Sequence, residues 1–512
     1  MIINRVIRSG NNSNKYIFSC LLNLVAGCLM ILAFAPWSWY PIAVPIIAVV
    51  LHNWLKYSPK KAFKLGILFG FSYALGSSYW VYYSLHDYGQ ALIFLAAAAA
   101  VVFAAILSLF FAVLAALVSY HRRYPPAFLY LLIFPALWVL AEWARSVLFV
   151  GFPWNLLGQI LIDSPWYGIL PLFGILGGSA VVAICAGAVV YFFRLQTPAK
   201  TVFGILFGLF LTATSALQFI EWTRPTSDEL KASVIQANIP QKLKFDRPYL
   251  QRLVNQYLDL SMQHTDSDLI LWPETAIPIY ADMLEKQLTS VGEQLNEQGT
   301  VLLTGIFYRD REQGKRYNSL MNVNSNDFYH KRRLVPFGEY IPLRSVFEVF
   351  SNWIIIPMSD LHAAEMTPIL DVSDYNAGVS ICYEIAFAND IADSLPAADF
   401  LINVSNDSWF GDSLAPHQML QMARVRAAEN ERYMVRATNT GISAIIDHRG
   451  RIVEQSELFE VGSISYDIII RKGITPYAQW RDMPILIWLM ISLLAAWLTA
   501  WYTNKKRKEL RQ

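Results

Sequence analysis

The sequence predicts a helical membrane domain with about eight transmembrane helices, joined to an α/β domain outside the cytoplasm. Three observations predict this fold class. Hydrophobic residues make up 55% of the 512-residue chain and charged residues only 16%, which is typical of membrane proteins. Apolar segments of membrane-spanning length fill residues 1–220, whereas residues 221–481 carry frequent charges and short β-rich runs. Basic residues are distributed unequally among the connecting loops.

A helix needs about 20 apolar residues to cross a bilayer. Seven candidate spans lie in the N-terminal part and an eighth lies close to the C-terminus: 16–36, 40–55, 65–85, 91–120, 129–150, 167–193, 202–220 and 483–502. We therefore expect a membrane domain at 1–220 and an α/β domain at 221–481. Residues 482–512 are expected to form a C-terminal transmembrane helix with a basic tail.

Lysine and arginine residues fall in alternate connections between these spans. They precede the first span and follow the second, fourth, sixth and eighth, whereas the short loops in between contain none. By the positive-inside rule, both termini are expected in the cytoplasm and residues 221–481 on the opposite side. The first span is too long for a signal peptide and lacks a small-residue cleavage pattern after it, so we expect it to be retained.

Short β-rich runs alternate with helical stretches from Asp228 onward. The predicted strands are 232–236, 269–272, 301–307, 378–382, 400–404, 442–447 and 452–453. The predicted helices are 249–263, 283–297 and 415–430. Strands that alternate with helices predict an α/β domain with a central sheet, and about 260 residues are enough for one sizeable core.

Charge and cysteine spacing argue against two classes of partner. The net charge is only +2, from 41 basic and 39 acidic residues, so we expect no nucleic acid partner. Cys20, Cys28 and Cys185 fall within predicted spans, where small residues pack well. No cysteine pair has the spacing of a zinc site or a redox motif, so we expect no metal and no cofactor. Cys382 is the only cysteine outside the predicted spans.

Cys382 is the candidate nucleophile, with two candidate partners upstream. A cysteine acts as a thiolate and is activated by a nearby base and by positive charge. Glu274 follows a predicted buried strand, which places its carboxylate at a strand end where it could take the thiol proton. Lys331 could stabilise the thiolate and then the oxyanion of a tetrahedral intermediate. Taken singly, Glu274 could be a helix cap and Lys331 a solvated residue beside Arg332 and Arg333.

At these residues the sequence resembles the carbon-nitrogen hydrolase superfamily, and within it the apolipoprotein N-acyltransferase family. The motifs that carry the resemblance are 271–278 (LWPETAIP), 329–342 (YHKRRLVPFGEYIP), 381–384 (ICYE) and 405–411 (SNDSWFG). Further motifs in the membrane half are 32–36 (LAFAP), 142–143 (EW) and 151–154 (GFPW). The resemblance therefore extends over essentially the whole chain.

The resemblance implies an αββα sandwich and a reaction. Members transfer a fatty acyl chain from a membrane phospholipid, through a cysteine thioester, to the α-amino group of a lipoprotein's diacylglyceryl-cysteine. By this resemblance Cys382 is the nucleophile, Glu274 the base and Lys331 the oxyanion-stabilising amine. It also implies a monomer in the bacterial inner membrane, with the catalytic domain in the periplasm.

The resemblance assigns supporting roles to further residues. Glu339 matches a second glutamate that holds the lysine charged and oriented, while Tyr383 and Glu384 match positions that support the site. Phe245 stands where the family pattern has tryptophan, so an aromatic cover over an acyl chain would survive but an indole hydrogen bond would not. Phe245 and Trp409 are the substrate or lid candidates.

Two loops are candidates for a lid over the site. They are residues 238–248 and 346–368, and the second mixes aromatic residues with few charges, which favours lipid contact over simple core packing. In the fifth span, Glu142 and Arg145 lie three residues apart near its outer end. They either serve function inside the membrane or pair with each other at the interface.

Two other functions remain open on the residues alone. A membrane-anchored amidase would use the same three residues with water as the acceptor and would release a free acid. A non-catalytic lipid-binding or sensor module would tolerate replacement of Cys382, Glu274 or Lys331. Whole-chain resemblance favours acyl transfer over both.

Overall fold

The computed structural model describes residues 2–341 and 360–509. The N-terminal part consists of helices, joined by short 3-10 and π-helical turns. The α-helices are Ile2–Met30, Ala43–Leu55, Pro59–Ser78, Trp80–Tyr83, Ile93–Tyr120, Pro126–Phe128, Phe134–Val147, Leu170–Phe192 and Ala199–Ala216. The predicted helical character of residues 1–220 is therefore confirmed.

Five helical segments in the described residues are long and apolar enough to cross a membrane: Ser13–Ala33, Ile93–Tyr120, Pro126–Val147, Tyr167–Phe192 and Ala199–Phe219. Tyr40–Leu55 and Met483–Thr499 are apolar but shorter. The expected span 65–85 lies mainly on Pro59–Ser78, whose first turns carry lysines. The prediction of about eight spans is thus confirmed for five apolar helices.

The helix Pro59–Ser78 is less apolar because it lies inside the helical bundle. A Cβ added at Gly66 would lie 2.5 Å from the carbonyl oxygen of Phe111, and one at Gly70 would lie 2.9 Å from the Phe111 Cβ. Small residues here allow this helix and Ile93–Tyr120 to approach closely, which is how helices associate in membranes. The helix Pro59–Ser78 therefore packs against another helix where a lipid-facing helix would contact acyl chains.

Thirteen strands build the second part of the described chain. They are β1 Thr223–Gln236, β2 Leu269–Leu271, β3 Ile277–Tyr280, β4 Val301–Asp310, β5 Lys315–Asn322, β6 Asp327–His330, β7 Ile369–Val372, β8 Tyr375–Ile381, β9 Phe400–Ser405, β10 Met434–Thr438, β11 Ala444–Ile446, β12 Ile452–Gln455 and β13 Gly462–Gly473. One sheet has the order β13-β1-β2-β4-β5-β6, with β3 also paired to β4. The other has the order β12-β11-β10-β9-β8-β7.

Helices cover the outer faces of the two sheets. The helices of this part are Gln241–Lys244, Leu250–Ser261, Glu285–Asn296, Ala388–Ala392, Ala415–Asn430 and Pro476–Trp480. The last helix, Met483–Glu509, packs instead against Phe134–Val147 and Leu170–Phe192 of the N-terminal part. Leu269 and Leu271 of β2 face the other sheet, whereas Ile270 between them packs against Leu250–Ser261 and Glu285–Asn296. This alternation follows from the two-residue period of a strand. The expected αββα layering is confirmed.

The sequence located most of the buried strands, but missed the buried strand β10 and several polar or edge strands. The helix predicted at 415–430 is confirmed at both ends as Ala415–Asn430. The strands that were not predicted are β3, β5, β6, β7, β10 and β13. They are short or mix polar and apolar residues without a continuous hydrophobic run. Their pairing with neighbouring strands, rather than their own composition, makes them strands.

The helix Ala415–Asn430 joins the two parts of the molecule. It packs on the second sheet on one side and against Leu170–Phe192 on the other. The Glu429 carboxylate accepts a hydrogen bond from the backbone N–H of Ile175 at 2.8 Å. Gln418 accepts one from the Trp154 indole at 2.6 Å. The α/β layers are therefore held against the apolar helices by buried polar contacts.

Glu142 and Arg145 are both buried, but no ion pair joins these two described side chains. The Glu142 carboxylate accepts hydrogen bonds from the Trp138 indole at 3.0 Å and from the backbone N–H of Leu157 at 2.9 Å. Arg145 donates to the backbone carbonyl of Asn155 at 3.4 Å. The alternative that they only pair with each other is therefore wrong, since each side chain has its own partners.

Gly305 of β4 provides room for the turn that carries Glu274. A Cβ at Gly305 would lie 2.3 Å from the carbonyl oxygen of Pro273 and 2.7 Å from the Cα of Glu274. We expect Gly305→Ala to lower the free energy of unfolding by about 1–3 kcal/mol, because overpacking forces backbone shifts. Thermal unfolding in detergent measures this loss.

Gly462→Ala is the matched control, because a Cβ at Gly462 meets nothing within 4 Å. Equal effects of the two substitutions would contradict the assignment of this close contact to Gly305.

Candidate active site

The three predicted residues follow the carboxyl ends of three strands. Glu274 lies three residues after β2, Lys331 directly after β6 and Cys382 directly after β8. The Lys331 ammonium lies 3.3 Å from a carboxylate oxygen of Glu274, and both side chains are buried. Both charges act on the Cys382 thiol. The structure thus brings the three residues together, although they come from both sheets.

Cys382 is held in an unusual backbone conformation. Its φ of +53° lies in the left-handed region, which costs energy for a residue other than glycine. It begins a short 3-10 helix immediately after β8, and its side chain is buried. Burial raises the pKa of the thiol, the negative charge of Glu274 adds to this, and Lys331 opposes it. The thiol therefore needs an acceptor for its proton before it can act as a nucleophile.

Lys331 remains charged although it is buried. Burial alone lowers the pKa of its ammonium, but the carboxylates of Glu274 and Glu339 raise it well above the usual range. Glu339 accepts a hydrogen bond from Nζ at 2.8 Å through Oε1, and its other oxygen accepts from the backbone N–H of Val335 at 2.8 Å. The structure thus places Glu339 where it can orient the ammonium.

Asn318 of β5 connects the two carboxylates and was not identified from the sequence. Its Nδ2 donates to Glu274 Oε1 at 2.7 Å and to Glu339 Oε1 at 3.2 Å. Its backbone carbonyl accepts from the Lys331 N–H at 2.9 Å. A single asparagine in a polar strand carries no sequence signal. Only the pairing of β5 with β6 brings it beside Lys331.

The carboxylate of Glu274 is fixed by three donors. Besides Asn318 and Lys331 on Oε1, the backbone N–H of Asn406 donates to Oε2 at 2.8 Å. Asn406 follows β9 directly, so the fourth strand end also contributes to the site. A carboxylate that is oriented by fixed donors can accept a proton from a defined direction.

Glu384 supports the site from behind rather than within it. Its buried carboxylate accepts from the backbone N–H groups of Ile381 at 2.6 Å, Arg332 at 2.6 Å and Arg333 at 3.0 Å, and from the Tyr329 hydroxyl at 2.9 Å. These partners flank Lys331 and Cys382. Glu384 therefore joins the end of β6 to the end of β8 and fixes their separation.

Tyr383 and Trp409 face the apolar helices. The Tyr383 hydroxyl donates to the backbone carbonyl of Gly151 at 3.0 Å, and its ring packs edge-on against Phe387. The Trp409 ring lies 5.8 Å from that of Tyr88, and its backbone carbonyl accepts from the Ser84 hydroxyl at 2.8 Å. Both residues therefore connect loops of the site to loops of the N-terminal part.

In the turn at 241–245 a charged side chain is buried and the neighbouring apolar side chains are exposed. Lys244 is buried, whereas Leu243 and Phe245 on either side are exposed. The Lys244 ammonium donates to the backbone carbonyl of Glu274 at 3.2 Å. Burial lowers the pKa of Lys244 to about 7, and the negative charge of Glu274 opposes this shift. Leu243 and Phe245 of the first expected lid loop, 238–248, therefore point outward, whereas Ile239 of the same loop is buried.

Most of the second expected lid loop, 346–368, lies outside the described residues. No group of three or more His, Cys, Asp or Glu side chains in the described ranges is arranged to hold a metal ion. The chemistry that the described site can perform is acyl transfer. A thiol supplies the nucleophile, a carboxylate takes and returns the proton, and an ammonium stabilises the oxyanion.

Replacing Asn318 by aspartate tests the balance of charge in this cluster. The new carboxyl would be buried beside Glu274 and Glu339, which already share the Lys331 ammonium. We expect a loss of about 2–4 kcal/mol in the free energy of unfolding at neutral pH. Burial and like charges raise the pKa of the new group, so its folded form binds the proton more tightly. The loss should therefore be small in acid and grow as pH rises through neutrality.

Denaturant unfolding of the full chain in detergent, at acid and neutral pH, measures this dependence. Asn326→Asp, at an exposed position of the same hairpin, is the control and should show no such trend. A pH-independent loss in Asn318→Asp would contradict the charge argument.

Comparison with known proteins extends over both parts of the chain. Residues 26–188 match the model of the apolipoprotein N-acyltransferase N-terminal domain, and residues 231–478 match that of carbon-nitrogen hydrolases. The apolipoprotein N-acyltransferase of Methylococcus capsulatus is 38% identical over 472 residues, covering 91% of this chain and 93% of that relative. That of Coxiella burnetii is 37% identical over 483 residues, covering 93% and 99%. Among solved structures, Saccharomyces cerevisiae Nit3, a member of branch 10 of the nitrilase superfamily, is 20% identical. It covers 49% of this chain and 92% of its own, with a TM-score of 0.36.

Identity to these relatives runs through the apolar helices and the α/β layers alike. The carbon-nitrogen hydrolase match contains Glu274, Lys331 and Cys382, and the N-terminal match contains Glu142 and Arg145. The resemblance expected from the motifs is therefore confirmed, and the chain belongs to the apolipoprotein N-acyltransferase family.

Proposed function

We propose that the chain transfers a fatty acyl group from a membrane phospholipid to the α-amino group of the N-terminal diacylglyceryl-cysteine of lipoproteins. Its family membership supports lipoprotein N-acylation. The observation that carries the mechanism is the buried cluster in which Glu274, Lys331 and Cys382 meet. Its fusion to apolar helices supports a lipid substrate over a water-soluble one.

In the first half-reaction, Glu274 accepts the thiol proton of Cys382, and the sulfur attacks the ester carbonyl of the phospholipid. The Lys331 ammonium stabilises the oxyanion of the tetrahedral intermediate. When this intermediate collapses, the ester C–O bond breaks and Glu274 returns the proton to the leaving lysophospholipid oxygen. The acyl group then remains on Cys382 as a thioester.

In the second half-reaction, the free amine of the lipoprotein attacks the thioester carbonyl. Glu274 takes one proton from the attacking nitrogen, and Lys331 again stabilises the oxyanion. The C–S bond breaks, the proton passes to the sulfur, and the thiol of Cys382 is restored. Burial of the site favours aminolysis over hydrolysis because water is excluded.

Both substrates carry acyl chains, so the site must operate at the bilayer surface. Moving a methylene from lipid into water costs about 0.8 kcal/mol. Close to the site, the loop after Phe134–Val147 exposes Leu148, Phe149 and Val150, and Gly151 of the same loop accepts the hydrogen bond from Tyr383. This apolar loop supports entry of lipid from the side of the N-terminal helices.

We also propose that the chain has the location and the domain arrangement expected from its sequence. The bacterial inner membrane holds the chain, with residues 221–481 in the periplasm and both termini in the cytoplasm. Residues 1–220 form the membrane domain and residues 482–512 the last span and tail. The protein acts as a monomer on a phospholipid donor and a diacylated lipoprotein acceptor. The distribution of basic residues supports this orientation.

Intact-mass measurement tests the thioester directly. The purified full chain in phospholipid should gain the mass of a fatty acyl group, and Cys382→Ala should not. Adding a diacylated lipopeptide should discharge the acyl group onto the peptide amine. Cys185→Ala, which removes a buried thiol of the membrane part, is the control and should behave as wild type.

Discharge to free fatty acid alone, in the presence of the acceptor, would contradict acyl transfer and indicate an amidase that uses water. An acyl mass on Cys382→Ala would contradict Cys382 as the nucleophile.

Phe245 and Trp409 are proposed to contact the acyl chains, and Phe245 offers the sharper test. Its ring is exposed on the turn whose lysine holds the carbonyl of Glu274. We expect Phe245→Ala to raise the KM for the lipopeptide about tenfold, since ~1.4 kcal/mol of apolar contact is lost. Phe245→Trp should retain wild-type KM, and Phe245→Leu should fall between. Identical KM values across the series would contradict a contact between Phe245 and substrate.

A further inference from the structure

A second buried ion pair lies behind the nucleophile and has no part in the steps above. Arg436 of β10 donates to Asp407 Oδ2 at 2.8 Å, and neither side chain is exposed. Arg436 also donates to Asn403 of β9. Burying a carboxylate and a guanidinium costs several kcal/mol per ion before their attraction is counted. A pair of this kind so close to a reactive thiol calls for a physical explanation.

Ser405 connects this pair to the nucleophile. β8 and β9 are parallel, with Ile381 opposite Val404, so the next residues along the two strands, Cys382 and Ser405, are neighbours. Burial raises the pKa of the Cys382 thiol, and the Ser405 hydroxyl beside it acts in the opposite direction and lowers it. The same hydroxyl donates to Asp407 Oδ1. Ser405 therefore lies between the sulfur and the carboxylate.

A hydroxyl has one proton and two lone pairs, so it can donate in only one direction at a time. While Ser405 donates to Asp407, only its lone pairs are left for the sulfur, and these suit a thiol that carries its own proton. A thiolate instead needs a donor. The Ser405 proton must therefore turn from Asp407 to the sulfur when Cys382 loses its proton.

The chain makes room for this arrangement. A Cβ added at Gly441 would lie 2.2 Å from Asp407 Oδ2, so glycine is required beside the carboxylate. Asp407 and Ser405 are both buried, which excludes water as a competing donor or acceptor. The Arg436 guanidinium keeps Asp407 compensated while Ser405 faces either way.

We propose that Ser405 is a positioning residue for the nucleophile. Its hydroxyl donates a hydrogen bond either to Asp407 of the Asp407–Arg436 pair or to the sulfur of Cys382. With the thiol protonated, Ser405 donates to Asp407 and presents only lone pairs to the sulfur. The thiol proton passes from the sulfur to the Glu274 carboxylate, and the Ser405 hydroxyl rotates to donate to the thiolate that remains. No covalent bond to Ser405 forms or breaks. The Asp407–Arg436 pair thereby favours the protonated thiol when no substrate is present.

Charged groups from three directions face the sulfur. Glu274 after β2 and Asp407 after β9 disfavour the thiolate, whereas Lys331 after β6 favours it. Arg436 lies on the far side of Asp407. Removing Ser405 takes away a donor to the thiolate, while neutralising Asp407 removes an opposing charge and frees the Ser405 proton. The two changes therefore have opposite effects on the reactivity of the thiol.

Iodoacetamide labelling of the full chain in phospholipid-free detergent tests this, with the labelled fraction of Cys382 measured by peptide mass spectrometry. At neutral pH we expect Ser405→Ala to slow labelling about tenfold, as for loss of a hydrogen bond to a charged group. Its pH profile should move to higher pH. Asp407→Asn should accelerate labelling about tenfold and move the profile to lower pH. Cys20 and Cys28 in the same sample serve as internal references.

Ser233→Ala, a buried serine of β1 that bonds to Ser267 and Ser465, is the matched control and should leave the profile unchanged. Ser405→Thr keeps the hydroxyl and should label at close to the wild-type rate. If Asp407→Asn does not fold, as judged by size exclusion and thermal unfolding, the Ala and Thr variants at 405 still decide the question.

Equal rates for Ser405→Ala and wild type would overturn the proposal. So would a shift of Ser405→Ala and folded Asp407→Asn in the same direction, because that indicates general structural damage. The inference rests on the proposed function for the identity of the nucleophile. The labelling requires no lipid transfer, so its failure is distinguishable from absence of a thioester in the mass measurement.

Discussion

The buried ammonium of Lys331 is the constraint on which the arrangement of the site depends. A buried charge is tolerated only when it is paired and its partners are themselves satisfied. Lys331 takes Glu274 and Glu339 as partners, and these in turn require Asn318 and the backbone N–H of Asn406. Each requirement fixes another segment, so the ends of β2, β6 and β9 are held by the same network that provides the chemistry. The contacts that orient the Glu274 carboxylate are therefore the same contacts that satisfy the buried charge of Lys331.

Buried carboxylates are used in three different ways around one thiol. Glu274 accepts only side-chain and backbone donors that leave it able to take a proton. Glu384 is surrounded by four donors and serves to fix the distance between the ends of β6 and β8. Asp407 is compensated by Arg436 and acts on the sulfur through its negative charge and through the Ser405 hydroxyl. The environment of each group, and not its residue type, determines what it can do.

Contact with the apolar helices explains how a hydrolase-like layer arrangement can serve a lipid reaction. The residue after the nucleophile, Tyr383, reaches Gly151, and the helix Ala415–Asn430 lies between the second sheet and Leu170–Phe192. A shift of the N-terminal helices would therefore be transmitted to the nucleophile through a few short hydrogen bonds. Exposed Phe245 lies on the same turn as Lys244, which donates a hydrogen bond to the backbone carbonyl of Glu274. The apolar surface at Phe245 is therefore linked to the base by one short turn.

The sequence by itself determined the apolar helices, most of the buried strands and the three candidate residues of the site, because hydropathy, period and local motif are properties of contiguous residues. Glu339 and Glu384 were found the same way, through the motifs around Lys331 and Cys382. Only the tertiary structure decided the contacts of Asn318, Ser405 and Lys244. Asn318 and Lys244 lie in no pattern that distinguishes them from surface residues, and the motif 405–411 does not show which groups Ser405 contacts. Strand pairing brings Asn318 to Lys331 and Ser405 to Cys382. Lys244 is buried although the apolar residues on either side of it are exposed. These relationships depend on register between segments far apart in the chain, which local sequence does not encode.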